Sequence, residues 1–161
     1  MDFPILSSLI LLPILGSIFI FFINHKDKSS SIKYVSLFIS LANLLLALYL
    51  WLIFDRSKSE FQFVENREWI LGIVNYKVGI DGISILFVVL TAVITPLCII
   101  SVNTTVKNRL KDFLISILVM ESLMIGVFCS LDLIVFYLFF EGGLIPMFLI
   151  IGIWGGQRRV Y

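Results

Sequence analysis

Leu133-Ile134-Val135-Phe136-Tyr137-Leu138-Phe139-Phe140-Glu141-Gly142-Gly143-Leu144-Ile145-Pro146-Met147-Phe148 sets a single carboxylate in an otherwise apolar run that extends over 131–154. A bilayer-spanning helix needs about 20 mostly apolar residues, so the run is long enough to cross a membrane. An ionisable side chain at the centre of such a helix costs about 2.5–3.5 kcal/mol or more on insertion scales, which makes Glu141 a functional candidate by default. Working outward, four further runs of the same kind cover 3–23, 34–54, 78–102 and 112–130. The fold class expected is therefore all-α, a single membrane domain of five transmembrane helices over 1–161.

Composition agrees. Of 161 residues, 60% are hydrophobic and 14% charged, where a soluble domain has roughly half and a quarter. Twelve Lys and Arg against eleven Asp and Glu leave a net charge of +1, so no basic excess points to nucleic acid. Cys98 and Cys129 sit in apolar runs without a partner spacing, and His25 is the single histidine, so no metal site is expected. The chain has 25 Ile and 15 Phe against three Ala, a bias that an AT-rich organellar coding genome would produce. The first run is read as a retained helix rather than a signal peptide, since no Lys or Arg precedes it. Pro13 and Pro96 within runs are expected to kink helices without breaking them.

Positive charge alternates along the connections. Lys26, Lys28 and Lys33 lie in the first, Lys107, Arg109 and Lys111 in the third, and Arg158 and Arg159 in the tail. By the positive-inside rule the N-terminus is expected outside and the C-terminus inside, the matrix in a mitochondrion. The 55–77 connection is too polar to span. The period-two pattern Phe61-Gln62-Phe63-Val64-Glu65 reads as a strand or hairpin lying on the membrane surface.

The buried acids carry the chemistry. Glu121, in Val119-Met120-Glu121-Ser122-Leu123-Met124, and Glu141 are each ten residues from Leu131 at the turn between the last two runs. At 1.5 Å per residue both lie roughly 15 Å deep, so two antiparallel neighbours can hold two carboxylates at one level and exchange protons. Gly142, Gly143 and Pro146 weaken the helix around Glu141, since Pro146 cannot donate to the carbonyl of Gly142. A freed carbonyl beside an acid is expected to admit water. The competing reading leaves both glutamates neutral, tying the bundle together. Asp132, at the turn, reads first as a helix N-cap and second as a contributor to proton transfer; Asp81 reads as an acid at a helix N-terminus. Lys111 is expected to snorkel to the inner surface.

The stretch from Gly126 to Gly156, with Phe61 to Ile70 and Val78-Gly79-Ile80-Asp81-Gly82-Ile83-Ser84, closely resembles the antiporter-like membrane-arm subunits of proton-pumping NADH:ubiquinone oxidoreductase, respiratory complex I. Those subunits have about fourteen helices, so the resemblance covers the N-terminal third. It implies a role in coupling NADH oxidation and quinone reduction to proton translocation. It also implies that Glu141 matches an acid on the fifth helix that pairs with a lysine on the seventh, beyond Tyr161. The site expected is then Glu141, Glu121 and Asp132, with flavin, iron–sulfur clusters and quinone on other subunits and no cofactor on this chain. Partners would be the other membrane-arm subunits, lipid, and a separate chain with the remaining helices if the subunit is split rather than truncated. The location implied is the mitochondrial inner membrane, or a bacterial plasma membrane. The alternatives are a multi-subunit Na+/H+ antiporter, built on the same acids, and a non-transporting membrane scaffold.

Overall fold

The structure, a computed structural model, describes residues 4–23, 29–70, 74–106 and 109–155. It contains α1 (Ile5–Phe22), α2 (Ser29–Ile53), β1 (Gln62–Ile70), β2 (Val74–Ile80), α3 (Ser84–Thr105), α4 (Leu110–Cys129) and α5 (Leu133–Trp154). All five helices are long and apolar enough to cross a membrane. In hydrocarbon a backbone must satisfy its own hydrogen bonds, and a helix does so within one segment. α1, α3 and α5 run on through Pro13, Pro96 and Pro146.

One boundary needs correction. The apolar run expected to form a helix over 78–102 begins as strand: Val78, Gly79 and Ile80 belong to β2, and the helix starts at Ser84. The reason is Asp81, whose Oδ1 accepts from the backbone N–H of Ile83 at 3.1 Å and of Ser84 at 2.7 Å. A carboxylate in that position satisfies donors that open a helix, and so marks the start. Backbone hydrogen bonding from Ser84, followed by its side chain, holds the Asp81 carboxyl below the usual carboxylate range.

α4 is the central element. It packs against α1, α2, α3 and α5, while α5 packs on α4 and β2. Helix approach is close where side chains are small. A Cβ on Gly126 of α4 would stand 2.6 Å from the Phe139 ring of α5, so only glycine admits that ring.

β1 and β2 form the antiparallel hairpin expected in the 55–77 region, with Glu65 opposite Val78 and Arg67 opposite Tyr76. The hairpin is seated at the end of the bundle where α1 and α5 begin. Leu131 N–H donates to the Lys77 carbonyl at 2.9 Å, and Val78 bridges Ser130, so the α4–α5 turn extends the sheet edge. At the opposite end Lys111 Nζ donates to the carbonyls of Phe21 and Ile23 at 2.7 and 2.8 Å, which satisfies acceptors left free at the end of α1. Lys26, Lys28, Lys107, Arg158 and Arg159, on which the expected orientation rests, lie outside the described residues.

The core has two apolar clusters. One lies near the hairpin, with Leu6, Leu9, Ala47, Leu50, Val88 and Ile125; the other lies towards the far end, with Ile20, Ile32, Ile99, Leu114 and Leu118. Asn43, Thr95, Glu121 and Ser122, all buried, fall between them in chain position along α2, α3 and α4.

Candidate proton-handling carboxylates

Glu121 lies in the third turn of α4 before its end and is 2% exposed. It is the one buried acidic or basic side chain among the described residues. Asn43 of α2, fully buried, donates through Nδ2 to Glu121 Oε1 at 2.9 Å. Next to it on α4, the Ser122 hydroxyl donates to the Ile10 carbonyl and ties α4 to α1. Glu121 also borders a groove of about 650 Å3 between α3 and α5 with α4 as its floor. Thr91, Thr95 and Cys98 line the α3 wall, Met120 and Met124 the floor, and Ile150 and Trp154 the α5 wall.

Glu141 lies on a different surface. Counted from the ends of α4 and α5 that meet at the turn, Glu121 and Glu141 are each eight residues in, about 12 Å at 1.5 Å per residue, so the expected common depth holds. The expected facing pair does not form. Glu121 turns to α2, whereas Glu141 is exposed on α5, one turn beyond Tyr137. Only Val135 and Pro146 of α5 are buried, and the large apolar residues around Glu141, among them Phe140, Leu144, Ile145 and Phe148, are exposed with it. A Cβ on Gly143 would meet nothing within 4 Å. The surface therefore presents one carboxylate in an apolar field, flanked by a position where another backbone can approach closely.

Asp132 behaves as the N-cap of α5. Its Oδ1 accepts from Ile134 N–H at 2.9 Å and Val135 N–H at 3.2 Å, which uses the carboxylate for the helix end. Asp132 stands eleven residues from Glu121 and nine from Glu141 along the chain, at the hairpin end, and the structure does not join the three acids into one site.

Two polar side chains that hold these elements together were not read from the sequence. Asn43 had a usable signal, since Ser36, Ser40 and Asn43 recur at helical spacing inside an apolar run and all are buried. Glu65, which accepts from the start of α1, had none, because its partner is 59 residues away. Among the described residues there is no group of three or more His, Cys, Asp or Glu placed to hold a metal ion.

The chain is similar to known membrane proteins. Residues 130–161 match the family model described as "NADH:quinone oxidoreductase/Mrp antiporter, TM". The chain is 45% identical over 155 residues to NADH-ubiquinone oxidoreductase chain 4 of Marchantia polymorpha, covering 96% of this chain and 31% of that protein. It is 55% identical over 129 residues to NADH-quinone oxidoreductase subunit M of Rhodobacter capsulatus, covering 80% and 25%. Against subunit M of Rickettsia prowazekii it is 42% identical over 164 residues, covering 100% and 33%. The chain thus spans between a quarter and a third of the length of these relatives. In sequence, and with five helices long and apolar enough to cross a membrane, the chain is similar to the N-terminal part of these NADH:quinone oxidoreductase chain 4 and subunit M proteins.

Proposed function

We propose that this chain is the N-terminal part of a membrane-arm subunit of a proton-translocating NADH:quinone oxidoreductase, with Glu141 as its principal protonatable group and Glu121 as a second relay carboxyl. The observation that carries the reading is Glu141 standing exposed in the apolar face of α5, inside the segment matched to the family. A charge on a lipid-facing surface is costly, so that face is one to be covered by protein, and the cover would bring the partner that makes the carboxyl useful. A cation there would favour the carboxylate, and its withdrawal would favour proton uptake.

In this reading the cover comes from the remaining length of the subunit, continuous with this chain or docked as a separate one, and from neighbouring membrane-arm subunits. NADH oxidation, flavin, iron–sulfur clusters and quinone belong to other subunits, and this chain holds no cofactor. The relatives come from plants and bacteria, which supports a mitochondrial inner membrane or a bacterial plasma membrane as the location, with the N-terminus outside and the C-terminus inside. Asp132 serves α5 as a cap, and its part in proton transfer is secondary.

The test is Glu141→Gln in the assembled complex. NADH-to-ferricyanide activity and assembly should stay intact while coupled quinone reduction and pumping fall; unchanged pumping would remove the main claim. The matched family also includes Mrp antiporters, which supports a second reading, Na+/H+ exchange on the same acids. Sodium-dependent exchange by membranes without NADH activity would select it. Loss of no transport activity when both glutamates become glutamine would select a scaffold.

A further inference from the structure

Asn43 and Glu121 meet through one hydrogen bond, Nδ2–H to Oε1 at 2.9 Å, with both side chains buried. The other polar atom of each, Asn43 Oδ1 and Glu121 Oε2, is buried without a partner. A buried unpaired polar atom costs about 1–3 kcal/mol, more for a charged group, so two on one contact call for an explanation. Both are acceptors as they stand and cannot bond each other. The buried hydroxyls among the described residues do not supply a donor: Thr95 bonds the Thr91 carbonyl, Ser17 that of Ile14, Ser36 that of Ile32, Ser40 that of Leu37, Ser116 that of Asp112 and Ser122 that of Ile10. No other acidic or basic side chain is buried among the described residues.

A primary amide carries a donor beside an acceptor, and so does a carboxylic acid. When the first N–H···O bond is made, the remaining pair of atoms is complementary if the acid holds its proton on Oε2. We propose that Asn43 and Glu121 form a cyclic amide–acid pair, in which Glu121 carries a proton donated to Asn43 Oδ1 and Asn43 is the positioning residue for that proton. One proton then satisfies both atoms that otherwise have no partner. An ionised Glu121 would set carboxylate oxygen against amide oxygen in a buried site, where an unpaired charge is most costly.

The pair also defines how the proton leaves. Glu121 borders the groove between α3 and α5, so a water molecule there can act as acceptor. The Oε2–H bond breaks, the proton passes to the water oxygen, and the electron pair stays on the carboxylate. Asn43 Oδ1 loses its donor while the Nδ2–H bond remains. Asn43 thereby opposes release until a competing partner arrives. Its use in transport rests on the relay role proposed above for Glu121; the pair itself does not.

The experiment is infrared spectroscopy of the assembled complex in its membrane, at neutral pH in H2O and D2O, with glutamate carboxyls carrying 13C. A protonated-carboxyl band should be present, shift on deuterium exchange, vanish in Glu121→Gln, and move to higher wavenumber in Asn43→Ala as its hydrogen bond is lost. Glu121→Gln makes an amide–amide pair with both hydrogen bonds available, so it should assemble at wild-type yield. Asn43→Ser serves if Asn43→Ala fails to assemble, with the same direction of shift. A Glu121 signal in the carboxylate region would overturn the pair and assign the missing donor to a water or a cation. A protonated band that ignores both Asn43 substitutions would overturn the positioning role. Full pumping by Glu121→Gln with the infrared results as expected would remove the relay role and leave the pair standing.

Discussion

The Glu65 carboxylate of β1 accepts the backbone N–H of Leu6 at 2.9 Å, capping the first turn of α1 from a strand 59 residues further along the chain. The same carboxylate accepts from Ser7 N–H at 3.3 Å and from the Ser7 hydroxyl, which also meets Tyr76 of β2 at 3.1 Å. Pro4, the residue before α1, supplies no side-chain cap of its own. Burial, with Glu65 beside it, pushes the Tyr76 hydroxyl above its usual range, so it stays a neutral hydrogen-bonding group at physiological pH. One acid thus joins the hairpin to the helix.

Losing that cap should release the hairpin. Glu65→Ala removes an acceptor for the helix N-terminus and its favourable dipole interaction, about 1–2 kcal/mol together, which raises the undocked population roughly ten-fold. Limited proteolysis of the 55–77 region in intact membranes should be faster by that order. Glu65→Gln keeps an acceptor oxygen and should be intermediate.

Asp132 offers a choice between two roles. If it acts as the α5 cap, Asp132→Asn should keep both pumping and stability, because asparagine caps as well as aspartate, whereas Asp132→Ala should cost about 1 kcal/mol in resistance to thermal disassembly. Reduced pumping in Asp132→Asn with assembly intact would assign the carboxylate a proton-transfer role as well.

Gly126 holds α4 and α5 together by what it lacks. Gly126→Ala puts a methyl 2.6 Å from the present Phe139 ring position, an overpacking of the kind that costs about 1–3 kcal/mol. The level of assembled complex on a native gel should fall, and Phe139→Leu in the same chain should restore part of it. A single variant with wild-type assembly would show that α5 shifts freely on α4.

Asp81 gives a pH dependence. Its folded value is lowered by hydrogen bonds from Ser84, so its contribution is present above the unfolded value and is lost as pH falls through the folded one. Amide exchange at Ile83 and Ser84 should therefore accelerate in the acid range relative to the middle of α3. In Asp81→Ala that acid-dependent difference should disappear, with exchange fast throughout.

How much was legible follows from the physics of each feature. The five helices were readable because spanning a bilayer demands length and apolarity, both visible along the chain, and the common depth of Glu121 and Glu141 followed from counting. Their orientation was not readable. Helices such as α4 and α5 carry Leu, Ile and Phe on all sides, so no polar stripe declares which face is inside. The expected carboxylate pair failed on that point alone, with Glu121 turned to Asn43 and Glu141 exposed. The start of α3 was misplaced because Val78 and Ile80 are as apolar as the helix they precede, and strand membership depends on a partner strand and on the distant Leu131.

The hairpin's seat has a consequence for the order of synthesis. Lys77 and its partner Leu131 are 54 residues apart, with all of α3 and α4 between them. The strands can pair locally as soon as both have emerged, but the edge that receives them does not exist until α4 has been inserted. Contacts of such long sequence separation form late, because the closure entropy precedes the reward. During translation the hairpin is a waiting element at the membrane surface, and docking it reports that four helices are in place.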